Sequence, residues 1–454
     1  MSKKVTILGA GESGTGAALL AKAKGYEVFV SDSGAIKSNY KAELLENQIQ
    51  FEEDKHSLDK LLQAELIIKS PGIPDKAEVV QKAKERNIEV IDEIEFAFRF
   101  LNGRIIAITG TNGKTTTTLL TYHLMKSAGL SVALAGNVGE SLARKVISND
   151  FDWFVIEISS YQIDGTVTFK PDVAILLNIT PDHLDRYEYQ FQNYVNSKFS
   201  LLKNATLDDH FIYYAGDAVV MSEVRKRNIK AESLGVSLED ANTPAYAIGS
   251  TMHFRIGDSK IEIDQKNTSL KGPHNLINTM ASVTAAHLSG VSVRDIKEGL
   301  KTFKNAPHRL ESIAKIRGVE FINDSKATNV DAVIYALGSF DSPLIWIAGG
   351  VDKGNNYDLL KDQVVEKVKS LICLGRENEK LKKYFEPLLP SVSETQNVRE
   401  LVRMALKNAA EGDVVLLSPA CASFDLFKNY MDRGDQFREA VLELKQENEN
   451  SLAL

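Results

Sequence analysis

Ile105-Ile106-Ala107-Ile108-Thr109-Gly110-Thr111-Asn112-Gly113-Lys114-Thr115-Thr116 is the stretch on which the fold class turns. Its first five residues form a nearly continuous apolar run, the pattern of a strand covered on both faces in a parallel sheet. A glycine-bearing loop follows, and residues 115 to about 128 have the composition of a helix. A strand that ends in such a loop and opens a helix makes a phosphate cradle. Glycines let backbone N–H groups turn inward, the helix N-terminus adds positive potential, Lys114 can reach the β- and γ-phosphates, and Thr115 can hold Mg²⁺. The two glycines stand closer together than in the standard phosphate-loop pattern, so the spacing alone also describes a glycine turn that caps a helix.

Downstream, residues 154–158 and 173–179 read as further buried strands of the same sheet. Glu157 is an acid inside the first of them, where an unpaired charge is costly. A nucleotide site needs an acid at a neighbouring strand end to hold Mg²⁺, and that role offsets the cost. The polar run Asn178-Ile179-Thr180-Pro181-Asp182-His183-Leu184-Asp185-Arg186-Tyr187 leaves the carboxyl end of the next strand, where open α/β sheets place ligands. His183 is suited to ligating metal or relaying a proton, and equally to a structural role. Between about 206 and 266 the alternation at 253–256 and 260–263 predicts a small antiparallel addition, and 278–288 a helix.

Upstream, a strand at 5–8, the turn Gly9-x-Gly11-x-x-Gly14, a helix to residue 24, a strand at 27–30 and Asp32 make a βαβ opening. That is the dinucleotide fingerprint, and it equally suits any domain that sets a diphosphate on a helix N-terminus. Strands at 66–68 and 89–91 extend this domain to about residue 98. A third α/β unit begins near 305, with strands at 318–322, 344–348, 370–374 and 413–417. Three of these precede polar clusters: Asn323-Asp324-Ser325-Lys326-Ala327-Thr328-Asn329, Gly349-Gly350-Val351-Asp352-Lys353-Gly354 and Ser418-Pro419-Ala420-Cys421-Ala422-Ser423-Phe424-Asp425. Singly each reads as a capped turn; together they can converge on a carboxylate or phosphate. Cys421 reads as structural, because nothing beside it in sequence would lower its pKa. The polar stretch 446–454 is expected to fray.

At about 150 residues per domain, 454 residues suggest three domains. With 54 basic and 61 acidic residues the net charge is -7, which argues against general affinity for nucleic acid or anionic membrane. The 43% hydrophobic and 25% charged composition is that of a globular protein. Two cysteines exclude a disulfide framework, and no stretch nears the roughly 20 apolar residues of a membrane span. The apolar run after Lys3-Lys4 is too short for a signal-peptide core, so a cytoplasmic protein without membrane insertion is expected.

In order along the chain, residues 110–116, Glu157-Ile158-Ser159-Ser160-Tyr161-Gln162, residues 178–187, Gly272-Pro273-His274-Asn275 and His308-Arg309 resemble motifs of the Mur ligase family of ATP-dependent amide-forming ligases. The family's own phosphate loop has this shortened glycine spacing, and the resemblance spans nearly the whole chain. Residues 324–329 and 418–425 resemble the branch that adds D-glutamate. The resemblance implies three α/β domains: a Rossmann-like UDP-sugar domain at 1–98, a central P-loop ATPase-like parallel sheet with a small antiparallel addition at 99–304, and a Rossmann-like amino-acid domain at 305–454. It implies ATP contacts at Gly110, Thr111, Asn112, Gly113, Lys114, Thr115, Thr116, Asn275, Asn278, Arg309 and Asp324. UDP-sugar contacts are implied at Glu12, Ser13, Asp32, Ser33, Ser70, Gly72, Asn137 and Gln162. D-glutamate contacts are implied at Lys326, Thr328, Lys353, Ser423 and Phe424. Catalysis would rest on Lys114, Glu157, His183 and Lys198, and two Mg²⁺ ions on Thr115, Glu157, His183 and Lys198, the last as a carbamate. Gly34 stands where some relatives carry an arginine that packs on uracil. The substrates implied are ATP, UDP-N-acetylmuramoyl-L-alanine and D-glutamate, handled by a monomer with no nucleic-acid partner. Another Mur ligase or a folylpolyglutamate synthase is the alternative within the class. An NAD(P)-dependent oxidoreductase or a non-catalytic nucleotide sensor would leave the central loop, Glu157 or the terminal clusters without a task.

Overall fold

Three sheets organise the computed structural model, which describes residues 3–148 and 150–452. The first holds β1 (Lys4–Leu8), β2 (Glu27–Ser31), β3 (Gln50–Glu52), β4 (Leu66–Lys69) and β5 (Glu89–Asp92), all parallel, in the order β3-β2-β1-β4-β5. The chain reverses its direction of winding between β1 and β4, so the crevice of this sheet opens between the Gly9 turn and the Ser70 turn. Gly14 is required there: a Cβ would lie 1.8 Å from the Gly9 carbonyl oxygen.

The second sheet has nine strands, in the order β14-β13-β12-β11-β10-β9-β6-β8-β7. They are β6 (Arg104–Thr109), β7 (Val132–Gly136), β8 (Trp153–Glu157), β9 (Val173–Leu176), β10 (His210–Tyr214), β11 (Glu232–Ser237), β12 (Ala245–Ile248), β13 (Thr251–Ile256) and β14 (Ser259–Asp264). Strand β9 ends at Leu176, shorter than its apolar run, because Leu177 and Ile179 are buried on the way out of the sheet. The segment 206–266 is only partly antiparallel: β10 and β11 continue the parallel sheet, and β12, β13 and β14 form a meander on its edge.

The third sheet runs β15-β16-β20-β17-β18-β19, from β15 (Glu311–Ile316), β16 (Val319–Asn323), β17 (Leu344–Ala348), β18 (Val368–Leu374), β19 (Val392–Thr395) and β20 (Val414–Leu417). It is parallel except for the β15–β16 hairpin. The three polar clusters thus leave adjacent strands, β16, β20 and β17. Residues 446–452 are not frayed but end the helix Tyr430–Leu452. Phe437, Ala440, Val441 and Leu444 bury its inner face on the sheet, and beyond them the buried Asn448 donates back to the Leu444 carbonyl at 2.8 Å. Residues 453 and 454 lie outside the described residues.

The chain divides into two compact units, 1–269 with 276–303 and 270–275 with 304–454. In the first unit one apolar core crosses from sheet to sheet, with Ile7, Val30, Phe96, Ile105 and Phe154 in the same buried cluster. Each such side chain contributes about 2 kcal/mol on leaving water, which ties the two sheets together. Among the described residues no helix is long and apolar enough to cross a membrane.

Candidate functional site

The phosphate loop leaves β6 and opens the helix Lys114–Ser127. Gly113 caps that helix at φ +85°, and a Cβ there would meet Asn278 Oδ1 at 2.5 Å. Asn278 is buried and accepts from Thr117 Oγ1 at 3.2 Å, so it braces the loop from behind. Asn178 clamps Asn112 at both ends, accepting from its N–H at 2.8 Å and donating to its carbonyl at 3.1 Å. The Thr111 hydroxyl accepts from Thr180 N–H at 3.0 Å and shares a hydrogen bond of 3.1 Å with Tyr194. These contacts hold the loop in shape. The Nδ2 of Asn112 is sealed from solvent with no hydrogen-bond partner. Such a donor inside a glycine loop suits a phosphate oxygen.

Lys114 Nζ donates to the Gly110 and Thr111 carbonyls at 2.8 and 2.9 Å. Lys198 comes from the helix Phe191–Phe199 and is buried; its Nζ donates to the same Gly110 carbonyl at 2.9 Å and lies 4.7 Å from the Tyr194 ring centre. Burial, then the charge of Lys114, pushes the Lys198 ammonium well below the usual lysine range, although Asp182, Asp164 and Glu157 pull the other way. Far from being a solvated surface lysine, it is the most sequestered amine of the loop region.

Glu157 ends β8, 2% exposed. Its Oε1 accepts from Asn137 Nδ2 at 2.8 Å, while Oε2 is sealed from solvent with no partner. A buried carboxylate oxygen in that condition suits a cation. His183 sits at φ +52°, with Nε2 3.5 Å from Asp182 Oδ2 and its ring edge-on to Tyr161. Among the described residues no three His, Cys, Asp or Glu side chains form a metal cluster. Glu157 and His183 therefore need other donors, such as Thr115, phosphate oxygens or a modified lysine, to complete any coordination sphere.

The residues assigned to the UDP-sugar divide. Asp32 closes the glycine turn on itself, its two carboxylate oxygens accepting from Ala10 N–H at 2.7 Å and Gly34 N–H at 2.9 Å. Ser33 and Gly72 are exposed, and Ser13 and Ser70 half-buried. Glu12 accepts from Ser141 N–H and Arg144 Nε, both at 2.9 Å. Gln162 is buried in a capping box, where its Oε1 accepts from the backbone and the hydroxyl of Ser159 at 3.0 Å. The Arg186 guanidinium stacks 4.6 Å from the Tyr161 ring and donates to the Pro71, Gly72 and Ile73 carbonyls.

In the second unit the three polar clusters are knitted together. Asp324 accepts from Ser418 Oγ at 3.0 Å and from Leu310 N–H at 3.2 Å, and burial pushes its pKa up to about 7. Gly349 N–H donates to Pro419 O at 2.9 Å and Val351 N–H to Ala422 O at 2.7 Å. The buried Arg433 ties all three clusters, donating to Ser325 Oγ and O, Gly349 O and Cys421 O. Lys326 Nζ lies 3.8 Å from the Tyr430 ring centre, Ser423 is buried, and Lys353 and Phe424 are exposed. Cys421 is buried and desolvation pushes its thiol up, the surroundings of a structural cysteine.

Family models match in sequence order: the Mur ligase MurD-like N-terminal domain at residues 3–92, the Mur ligase middle domain at 108–286 and the Mur ligase glutamate ligase domain at 308–421. The chain belongs to the Mur ligase family. It is 50% identical to the UDP-N-acetylmuramoylalanine--D-glutamate ligase of Cytophaga hutchinsonii, over 98% of this chain and 100% of that protein. A protein of the same name from Bacteroides fragilis is 46% identical over 97% of this chain and 100% of its own. Two solved structures share the Mur ligase fold at low identity. A pseudomurein peptide ligase type C from Methanothermus fervidus has TM-score 0.63 at 21% identity, over 98% of this chain and 100% of its own. The MurF ligase from Thermotoga maritima in complex with ADP has TM-score 0.60 at 16% identity, over 92% and 95%. Two residues of this Mur ligase escaped the sequence reading. Tyr194 had a signal, since it stands one turn before Lys198 on the same helix face. Arg433 had none, because one arginine in a polar stretch looks solvated until the fold buries it.

Proposed function

We propose that this Mur ligase joins D-glutamate to UDP-N-acetylmuramoyl-L-alanine at the expense of ATP, a step in the synthesis of the peptidoglycan precursor. A carboxylate resists amine attack because its charge repels the nucleophile and oxide is a poor leaving group. Attack of the alanyl carboxylate on the γ-phosphorus releases ADP and makes an acyl phosphate; the amine of D-glutamate then attacks the acyl carbon and phosphate departs. The loop N–H groups of 110–116 bind the triphosphate, and Lys114 swings from its own loop carbonyls to the transferring phosphoryl group, where most of the catalysis in such reactions arises.

The observation that carries the mechanism is that Lys114 and Lys198 donate to one carbonyl, that of Gly110. Their mutual repulsion and the burial of Lys198 favour its neutral amine, the form that adds CO₂. Addition of CO₂ to that neutral amine forms an N–C bond, releases one proton to solvent and leaves a buried carboxylate. The residues present fit Mg²⁺: Thr115 and Glu157 would hold one ion, His183 and the carbamate of Lys198 a second, and bound Mg²⁺ would neutralise charge on the phosphates. Asn275, Asn278, Arg309 and Asp324 are assigned to the nucleotide. Glu12, Ser13, Asp32, Ser33, Ser70, Gly72, Asn137 and Gln162 are assigned to the UDP-sugar. Lys326, Thr328, Lys353, Ser423 and Phe424 are assigned to D-glutamate, whose two carboxylates call for the lysines. ATP hydrolysis that requires both UDP-N-acetylmuramoyl-L-alanine and D-glutamate is the expected result. Equal turnover with L-glutamate, or none with either enantiomer, would overturn the reading.

A further inference from the structure

We propose that Asn137 is a positioning residue for Glu157, one that fixes the carboxylate plane so that a single oxygen is left for the metal; the inference rests on the reading of Glu157 as a Mg²⁺ ligand. Asn137 makes two bonds to this one residue. Its backbone N–H donates to the Glu157 carbonyl at 2.9 Å, and its Nδ2 donates to Oε1 at 2.8 Å. The first bond pins the root of the side chain, so the second leaves the amide little freedom. Glu157 is sealed in the strand end, and the two oxygens of its carboxylate differ sharply: Oε1 is spoken for, Oε2 has no partner.

A terminal carboxylate otherwise turns freely about its last bond. Held at Oε1, it offers Oε2 in one direction, so the ordering of this one ligand does not have to be met when a metal binds. Partners that orient a ligating side chain commonly govern metal affinity about tenfold or more. The same arrangement reaches further along the loop Gly136-Asn137-Val138-Gly139 that carries the asparagine. Just beyond it, Ser141 N–H donates to Glu12 at the start of the helix Glu12–Ala23, which follows the N-terminal glycine turn. One short loop is thus anchored to the glycine-turn helix at one end and to the metal carboxylate at the other. The amide also keeps its second N–H and its oxygen for a sugar hydroxyl, so holding Glu157 does not exclude the contact assigned to it above.

The test is a titration of the full chain with Mn²⁺ and a non-hydrolysable ATP analogue, followed by electron paramagnetic resonance, with no UDP-sugar present. Wild type, Asn137→Ala, Asn137→Ser and Glu157→Gln are compared, and thermal midpoints are recorded without metal. Asn137→Ala is expected to weaken Mn²⁺ binding about tenfold. Asn137→Ser, which keeps a hydroxyl donor, should recover part of that loss while both variants remain folded. If Glu157→Gln loses Mn²⁺ and Asn137→Ala binds it as wild type does, the positioning role is overturned and the metal reading stands. If Glu157→Gln itself binds Mn²⁺ as wild type does, the metal reading falls and the inference falls with it.

Discussion

Two buried cationic residues do opposite work in this chain. Lys198 is held where burial and Lys114 disfavour its charge. Lys198→Ala is therefore expected to lose nearly all ligase activity and to regain part of it with added short carboxylic acids, read as ATP consumption; no rescue would leave the carbamate without support. Arg433 keeps its charge although burial lowers its pKa to about 10, and spends its N–H groups on carbonyls of three loops. Removing it as Arg433→Met should destabilise the second unit by about 3 kcal/mol, since several buried carbonyls lose a charged donor together. A urea midpoint equal to that of wild type would refute that account.

At the scale of elements, strand ends matter more than strands. The apolar runs of β6, β8, β17 and β20 were legible because a strand covered on both faces needs little but continuous apolar sequence. Short or edge strands such as β3, β15 and β19 gave no such signal, since half-exposed residues dilute the pattern. The phosphate loop was legible for a different reason: its glycines answer to local backbone geometry. Its bracing was not, because Asn178, Asn278 and Tyr194 arrive from other parts of the chain. Thr111→Val tests this bracing. Losing the hydroxyl that Thr180 N–H donates to and Tyr194 shares should raise the KM for ATP several-fold, with the thermal midpoint nearly unchanged; an unaltered KM would show that the loop holds its shape without the brace.

For the whole molecule, the junction of the first two sheets carries a pH signature. Asp92 and Glu93 are fully buried there, and Asp92 Oδ2 and Glu93 Oε2 have no partner. Desolvation pushes Asp92 up to about 7 despite Lys69, and pushes Glu93 up to about 8 with help from Asp92 and Glu12. Both values exceed those of an unfolded chain, so above about pH 4 the folded state keeps protons that the unfolded state has released. The stability they provide is full below that pH and is lost as pH rises through 7 to 8. Glu93→Gln should therefore gain thermal stability relative to wild type as pH increases from 6 to 9, and a constant difference would contradict the assignment. By itself the amino-acid sequence determined the parallel-sheet class, the glycine loop that opens the helix Lys114–Ser127 and the family, because each is written in local periodicity and local motif. Only the tertiary structure decided that the two sheets of the first unit share a core, that Glu12 and Gln162 brace the fold, and that Lys198 is starved of solvent beside a carbonyl 88 residues away. Burial and charge proximity are sums over neighbours from distant parts of the chain, and no local pattern encodes them.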